Sequence, residues 1–315
     1  MSIFLPIKLA LSRILSVPKR NRIIFFQEFS LRRTAKQKMY SLIQLAGYYL
    51  FEVRKSRQTT LNLKKLKGSF SGKTVLVTAN GPSLNKLDLK ATYELHSLDK
   101  LVLFGINYSP LILDAKNMIS LDYLVLSDHA MHPRNHSAFN DEFWTKVKSK
   151  STLKLITPES WCDPIHFEMC RGKRCLHYND RGAENLVKGT DPTKIRGYLS
   201  MTSLKALAIC NYLGFNRIFV LGLDNNFFRG LEVNESLRLI ENSHHASSIQ
   251  HFEPDVTEYW PLGVTDYFYF VALNFYYIRK YFNWGNVVNL DVESLNDTFV
   301  KIASNDEYVK ILRGY

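Results

Sequence analysis

Several apolar runs in this chain end on short polar side chains. Thr74–Ala79 runs into Asn80, Leu101–Ile106 into Asn107, Tyr123–Asp128 closes on Ser127 and Asp128, and Arg217–Asp224 closes on Asp224. Amide, hydroxyl and carboxylate groups on short stems can hold the ribose and phosphate oxygens of a nucleotide. Asn and Asp in such places also cap the helices that follow, so each position alone allows either role. In the turn Asn80-Gly81-Pro82-Ser83-Leu84, Gly81 permits close backbone approach to a ligand and Pro82 fixes the exit. Asn80 and Ser83 then offer hydrogen bonds to a nucleotide. Further on, the polar segment 241–252 holds His244, His245 and His251, followed by Glu253 and Asp255. Histidine, titrating ordinarily at about pH 6.5, is suited to taking a proton from a hydroxyl. A connection this long is often a lid.

The elements that must position these groups alternate. Short continuous apolar strands at Thr74–Ala79, Leu101–Ile106, Tyr123–Asp128, Leu153–Thr157 and Arg217–Asp224 are separated by helical patterns, with a weaker sixth strand at Val287–Asp291. The clearest helix is Ser203–Leu213, closed by Gly214. This pattern predicts an α/β fold, Rossmann-like, with a mostly parallel sheet covered on both faces. Ligands of such sheets sit beyond the carboxyl ends of the strands. That rule gathers Asn80, Asn107, Ser127, Asp128 and Asp224 at one edge. The turn at Asn80 is not G-x-G-x-x-G, and no G-x-x-x-x-G-K-[ST] occurs, which disfavours a dinucleotide fingerprint and a P-loop kinase. The aromatic run Tyr267–Phe282 reads as a core helix.

Charge divides the chain in two. Residues 1–73 carry 16 Lys/Arg against Glu28 and Glu52, a local net of +14, and the remainder is at −2. The body therefore lacks the cationic excess of a nucleic-acid-binding domain, and no nucleic-acid partner is expected. Residues 1–70 read as a basic, amphipathic, helical extension and 71–315 as the body, with a flexible joint at Gly68–Gly72. Apolar and aromatic residues beside Lys/Arg clusters suit an anionic membrane interface, reached through residues 1–60. A helical hairpin packed on the body with a solvated basic face is the alternative. No apolar run reaches the roughly 18–20 residues needed to span a bilayer, and no signal peptide is read at the start. Four cysteines do not make a disulfide scaffold, which suggests a reducing compartment. Cys162, His166, Cys170, Cys175 and His177 lack the paired C-x2-C of structural zinc, so they read as ordinary buried or loop residues and no metal is expected.

The N-G-P-S-L turn after the first strand resembles the bacterial sialyltransferases of glycosyltransferase family 42. It also resembles related flagellar and surface-polysaccharide transferases that are like an archaeal hydroxymethylpterin pyrophosphokinase. Phe104-Gly105-Ile106-Asn107, Thr202-Ser203 through Leu213-Gly214, Val220–Asp224, Asn242-Ser243-His244 and Ser294–Phe299 follow in the family's order. The blocks are scattered over residues 73–302. The resemblance implies a single GT-A-like, nucleotide-binding body that uses a CMP-linked nonulosonic acid as donor, without metal or further cofactor. It implies inversion by direct attack of a hydroxyl of a glycan or lipid-linked acceptor. It places Asn80, Asn107 and Thr202 around the donor; with the turn and strand-end residues read above, the expected donor site is Asn80, Gly81, Ser83, Asn107, Asp128, Thr202, Ser203 and Asp224. The family's base falls at Ser248 here, leaving His244 or His251 for that role. Its phosphate-binding tyrosines fall where Asn225, Asn226, Phe227 and Phe228 stand, and its arginine before the Thr202 block has Arg196 nearby.

The expectation is a cytoplasmic glycosyltransferase, peripheral on the inner face of a bacterial inner membrane; a homo-oligomer stays open. Two other readings are a pterin-type pyrophosphokinase using ATP, which calls for acids clustered at strand ends, and a non-catalytic scaffold at the membrane surface.

Overall fold

The computed structural model describes residues 38–115, 121–135, 138–170, 175–184, 186–224, 231–233, 239–241, 258–259 and 264–302. Eight strands form one all-parallel sheet: β1 (Thr74–Thr78), β2 (Leu101–Ile106), β3 (Tyr123–Val125), β4 (Lys154–Pro158), β5 (Cys175–Tyr178), β6 (Arg217–Leu221), β10 (Val287–Asn289) and β11 (Val300–Lys301). Between β6 and β10 the chain adds a small antiparallel sheet of β7 (Leu231–Val233), β8 (Leu239–Glu241) and β9 (Glu258–Tyr259). The helices are α1 (Val53–Thr59), α2 (Leu61–Lys64), α3 (Leu89–Ser97), α4 (Ser109–Ala115), α5 (Ala138–Ser149), α6 (Pro164–Met169), α7 (Thr202–Leu213) and α8 (Val264–Tyr281).

The strand order is β11-β10-β6-β1-β2-β3-β4-β5. The chain grows outward from β1 to β5 and then returns to lay β6 on the other side of β1. Side chains alternate across each strand, so both sheet faces need apolar cover. Val75, Val77, Val102 and Phe104 pack with α7 and α8 on one face. Leu76, Leu101, Leu103 and Leu124 pack with Leu95 of α3, Leu111 of α4 and Trp144 of α5 on the other. Each such side chain contributes roughly 1.5–3 kcal/mol, which is why the strands read as unbroken apolar runs. Helix α7 stops where expected, at Gly214 in the left-handed region with φ +91°.

Two expectations change. The joint at Gly68–Gly72 is fixed rather than flexible: Gly68 and Phe70 donate backbone hydrogen bonds to Tyr212 and Leu213, and the Phe70 ring packs on Tyr123 and Phe215. Leu63 of α2 is fully buried in the main core. The 53–70 part of the basic extension therefore belongs to the packed body. Before it, residues 38–47 are helical and continue through a π turn, Tyr48–Glu52, into α1. Met39, Tyr40, Leu42, Ile43, Leu50 and Phe51 are exposed there, with Phe51 at 82%. Residues 1–37 lie outside the described residues, and no helix among the described residues is long and apolar enough to cross a membrane.

The second change concerns the cysteines. The end of α6 and the start of β5 bring Cys170 and Cys175 within reach, and they are joined by a disulfide, while Cys162 and Cys210 are free. β5 itself lies in a stretch where no strand was expected. His166 is buried among Trp144, Trp161, His132 and His177. His177 pairs with Thr157 at 3.0 Å.

Leu63→Ala is expected to lower unfolding stability by about 2–5 kcal/mol, as for a core cavity. A loss under about 0.5 kcal/mol in denaturant melts would mean that the N-terminal helices are only loosely attached.

Burial pushes His166 and His177 down to about 4, with the neighbouring His177 adding to the shift of His166. Both rings stay neutral in the folded chain, while the unfolded chain protonates them near its usual value of about 6.5. The unfolded state thus binds more protons between these limits, so stability is full above about pH 6.5 and declines toward pH 4, by roughly 1–3 kcal/mol per histidine. Denaturant melts at pH 7.5 and 5.0 should show this decline, reduced in His166→Phe; equal slopes for both proteins would contradict it.

Candidate functional site

The carboxyl edge of the sheet has two neighbouring polar regions. The first joins the turns after β1 and β6, at the point where the strand order reverses. Gly81 N–H donates to Gly222 O at 3.0 Å, and Gly222 N–H donates to Ser83 Oγ at 2.9 Å. Asp224 Oδ2 accepts from Ser83 N–H at 3.3 Å. A Cβ on Gly81 would meet that same carboxylate oxygen at 1.8 Å and the Gly222 backbone oxygen at 2.5 Å, so the glycine is required by packing. Ser83 and Asp224 are both buried. Burial, followed by a hydrogen bond with Asp291, pushes Asp224 up to about 6. Asp291 in turn takes an ion pair from Lys86 at 3.2 Å, which also reaches Glu293 at 2.6 Å. Acids are thus gathered at these strand ends, and they are engaged with Ser83, Lys86 and each other.

The second region lies at the ends of β2, β3 and β4. Asn107 has φ +43°, a left-handed conformation that asparagine tolerates better than most residues. Its Nδ2 donates to Thr202 Oγ1 at 3.1 Å, and its Oδ1 accepts from Ser127 N–H at 3.3 Å. One side chain therefore ties two strand ends to the first turn of α7. Asn80 stands beside this tie, 3.3 Å from the hydroxyl of buried Ser109. Asp128 accepts from Ala130 N–H at 2.9 Å and caps the short turn His129–Met131.

Between these elements opens a cavity of about 420 Å³. Asn107, Ser127, Asp128, Thr202 and Lys205 line it, together with His129, Pro158, Asp180, Ser200 and Met201. Met201, at the N-cap of α7, supplies no side-chain acceptor for the leading amides. A helix start whose N-cap residue offers no side-chain cap, beside a polar cavity, favours an anion there.

Of the expected donor-binding residues, Asn107, Asp128 and Thr202 meet on this cavity. Gly81, Ser83 and Asp224 sit in the adjoining β1–β6 crevice, and Ser203 is buried one residue into α7. His244, His251 and the stretch 225–228 lie outside the described residues.

Lys205 was not expected from the strand-end rule. It is 4% exposed on the cavity wall, and its Nζ donates to Ser127 Oγ. Burial pushes its amine down to about 7, and the nearby Arg196 charge pushes in the same direction. A usable signal is present in the sequence: Lys205 is the single charged residue in an otherwise uncharged, apolar helix. Arg196 is also buried, and one of its Nη atoms donates to Asp180 O.

No protein-family model and no curated protein matches this chain.

Asn107→Ala loses both hydrogen bonds and keeps a side chain in the left-handed region, so a loss of about 1–3 kcal/mol is expected. Asn107→Gly loses the same bonds without that backbone cost and should be the more stable of the two. Urea melts that rank Ala equal to wild type would remove Asn107 as the tie.

Proposed function

We propose that this chain is an inverting glycosyltransferase that moves a nonulosonic acid from a CMP-linked donor to a glycan or lipid-linked acceptor. The observation that carries the reading is the convergence of Asn107, Ser127 and Thr202 on a polar cavity at the start of α7. That place, beyond the carboxyl ends of parallel strands, suits a nucleotide. The ordered N-G-P-S-L and downstream blocks supply the choice of donor.

In this reading Asn107 and Thr202 orient the nucleotide, and Asn80 serves from the neighbouring turn. The acceptor oxygen forms a bond to the anomeric carbon as the bond from that carbon to the CMP phosphate breaks. His244 or His251 takes the acceptor's proton. The leaving phosphate gains charge, which the leading amides of α7 favour. No metal or further cofactor is assigned to the step.

The acceptor would lie at an anionic membrane surface. The exposed Met39, Tyr40, Leu42, Ile43, Leu50 and Phe51 stand next to Arg54, Lys55 and Arg57, a composition suited to an interface. In this reading the enzyme is peripheral to the membrane, at its cytoplasmic face.

A second reading, the pterin-type pyrophosphokinase, draws on Asp224 and Asp291. Those carboxylates already hold Ser83 and Lys86, which favours a structural role for them.

Thermal-shift titration separates the two readings, because a ligand that binds only the native state raises its melting temperature. CMP should stabilise the chain equally with and without Mg²⁺. A response to ATP that requires Mg²⁺, with none to CMP, would overturn the transferase reading.

A further inference from the structure

Lys205 poses a problem that the cavity's other residues do not. Its ammonium would lie at a helix start, where the backbone already presents partial positive charge. Arg196, on the segment leading into α7, adds a second like charge. The groups facing it from other elements are Ser127 and Asp128 after β3, Tyr178 of β5 and Asp180 just beyond it. Ser127 gives one neutral acceptor, and the Tyr178 ring centroid lies 5.5 Å from Nζ. Asp128 and Asp180 act only at longer range, and neither forms an ion pair with it among the described residues. His129 completes the titratable groups at the wall. A charge this buried is costly without a counter-ion, so burial favours the neutral amine until an anion stands beside it.

We propose that Lys205 binds the phosphate of the incoming nucleotide and takes up a proton from solvent as that phosphate enters the cavity. This rests on the reading of the cavity as a nucleotide site and adds the residue that recognises its anionic part. The phosphate supplies the missing counter-ion. The amine nitrogen gains one proton from the buffer acid, and the ammonium so formed donates to a phosphate oxygen while keeping Ser127 Oγ as a second partner. Ligand affinity and proton uptake are thereby linked: binding of a fully ionised phosphate tightens as pH falls from 8.5 to 7. A nucleoside without phosphate brings no counter-ion and draws no proton.

The test is calorimetric titration of the full chain with CMP at pH 8.0, in two buffers of different ionisation enthalpy, with cytidine as control. Wild type should take up close to one proton per CMP and none with cytidine. Lys205→Met should bind CMP about tenfold or more weakly, without uptake. Lys205→Arg, charged at every pH used, should recover CMP binding while still taking up no proton. Melting temperatures of both variants confirm that they fold, and Lys205→Gln replaces Met if that variant does not.

CMP binding by wild type with no proton uptake, or unchanged affinity and uptake in Lys205→Met, would overturn the proposal and leave the CMP-donor reading standing. If wild type fails to bind CMP, that reading falls, and inorganic pyrophosphate becomes the probe. Pyrophosphate binding that is lost in Lys205→Met would then sustain Lys205 as the anion site, whereas no binding, or binding unaffected by the substitution, would overturn it.

Discussion

Strands β1 to β4 are buried on both faces and mostly apolar, with Thr78 and Thr157 hydrogen-bonded near their ends, so polar side chains collect where the chain leaves the sheet. The carboxyl edge is where that release occurs, and every polar group of the candidate site stands there. Helix α7 adds the second half of the constraint. It is buried along most of its length and runs back across the sheet, which brings its first turn to the same edge. Asn107 closes the arrangement by joining β2, β3 and α7 through one side chain. The cavity is the space left between these fixed parts.

The N-terminal helices reach the same region from the other side. Asn179, which follows β5, donates to Tyr48 Oη at 3.1 Å and to Ser56 Oγ at 2.9 Å. Arg181 pairs with Glu52 at 2.8 Å. Asp180, between these two anchored residues, lines the cavity. Burial pushes nearby Glu159 up to about 7, against a hydrogen bond from Ser56. The segment that exposes the aromatic and aliphatic side chains is therefore anchored within a few residues of the cavity wall. In the proposed function this puts the membrane-facing side and the donor site in one packed unit.

Much of the sheet was legible because a strand buried on both faces needs an unbroken apolar run, and Leu101–Ile106 is one. Gly214 marked the end of α7 because a left-handed cap selects glycine. β5 was not legible: Cys175-Leu176-His177-Tyr178 is short, and its histidine is buried by packing against Thr157 and His166 rather than by its own character. The supposed joint at Gly68–Gly72 misled for a related reason. Its glycines and serines look mobile, yet Phe70 fills space between Tyr123 and Phe215. Within the site, Asn107 was found by its strand-end position and Thr202 through the family resemblance. The crevice partners Ser83 and Asp224 had the right chemistry, but only their burial separates a strut from a ligand-facing group. Asp291 required the fold, since pairing across β6 and β10 leaves little trace in local sequence, whereas Lys205 carried a signal as the single charge in α7.

The central claim is that the cavity between β2, β3 and the start of α7 holds the nucleotide. Hydrogen–deuterium exchange of the full chain with and without saturating CMP tests it most directly, because exchange reports local opening residue by residue. The account predicts slower exchange around 105–109, 126–131 and 200–206 when CMP is present. Saturation with CMP that left those segments unchanged and slowed exchange elsewhere would place the nucleotide outside this cavity and contradict the account.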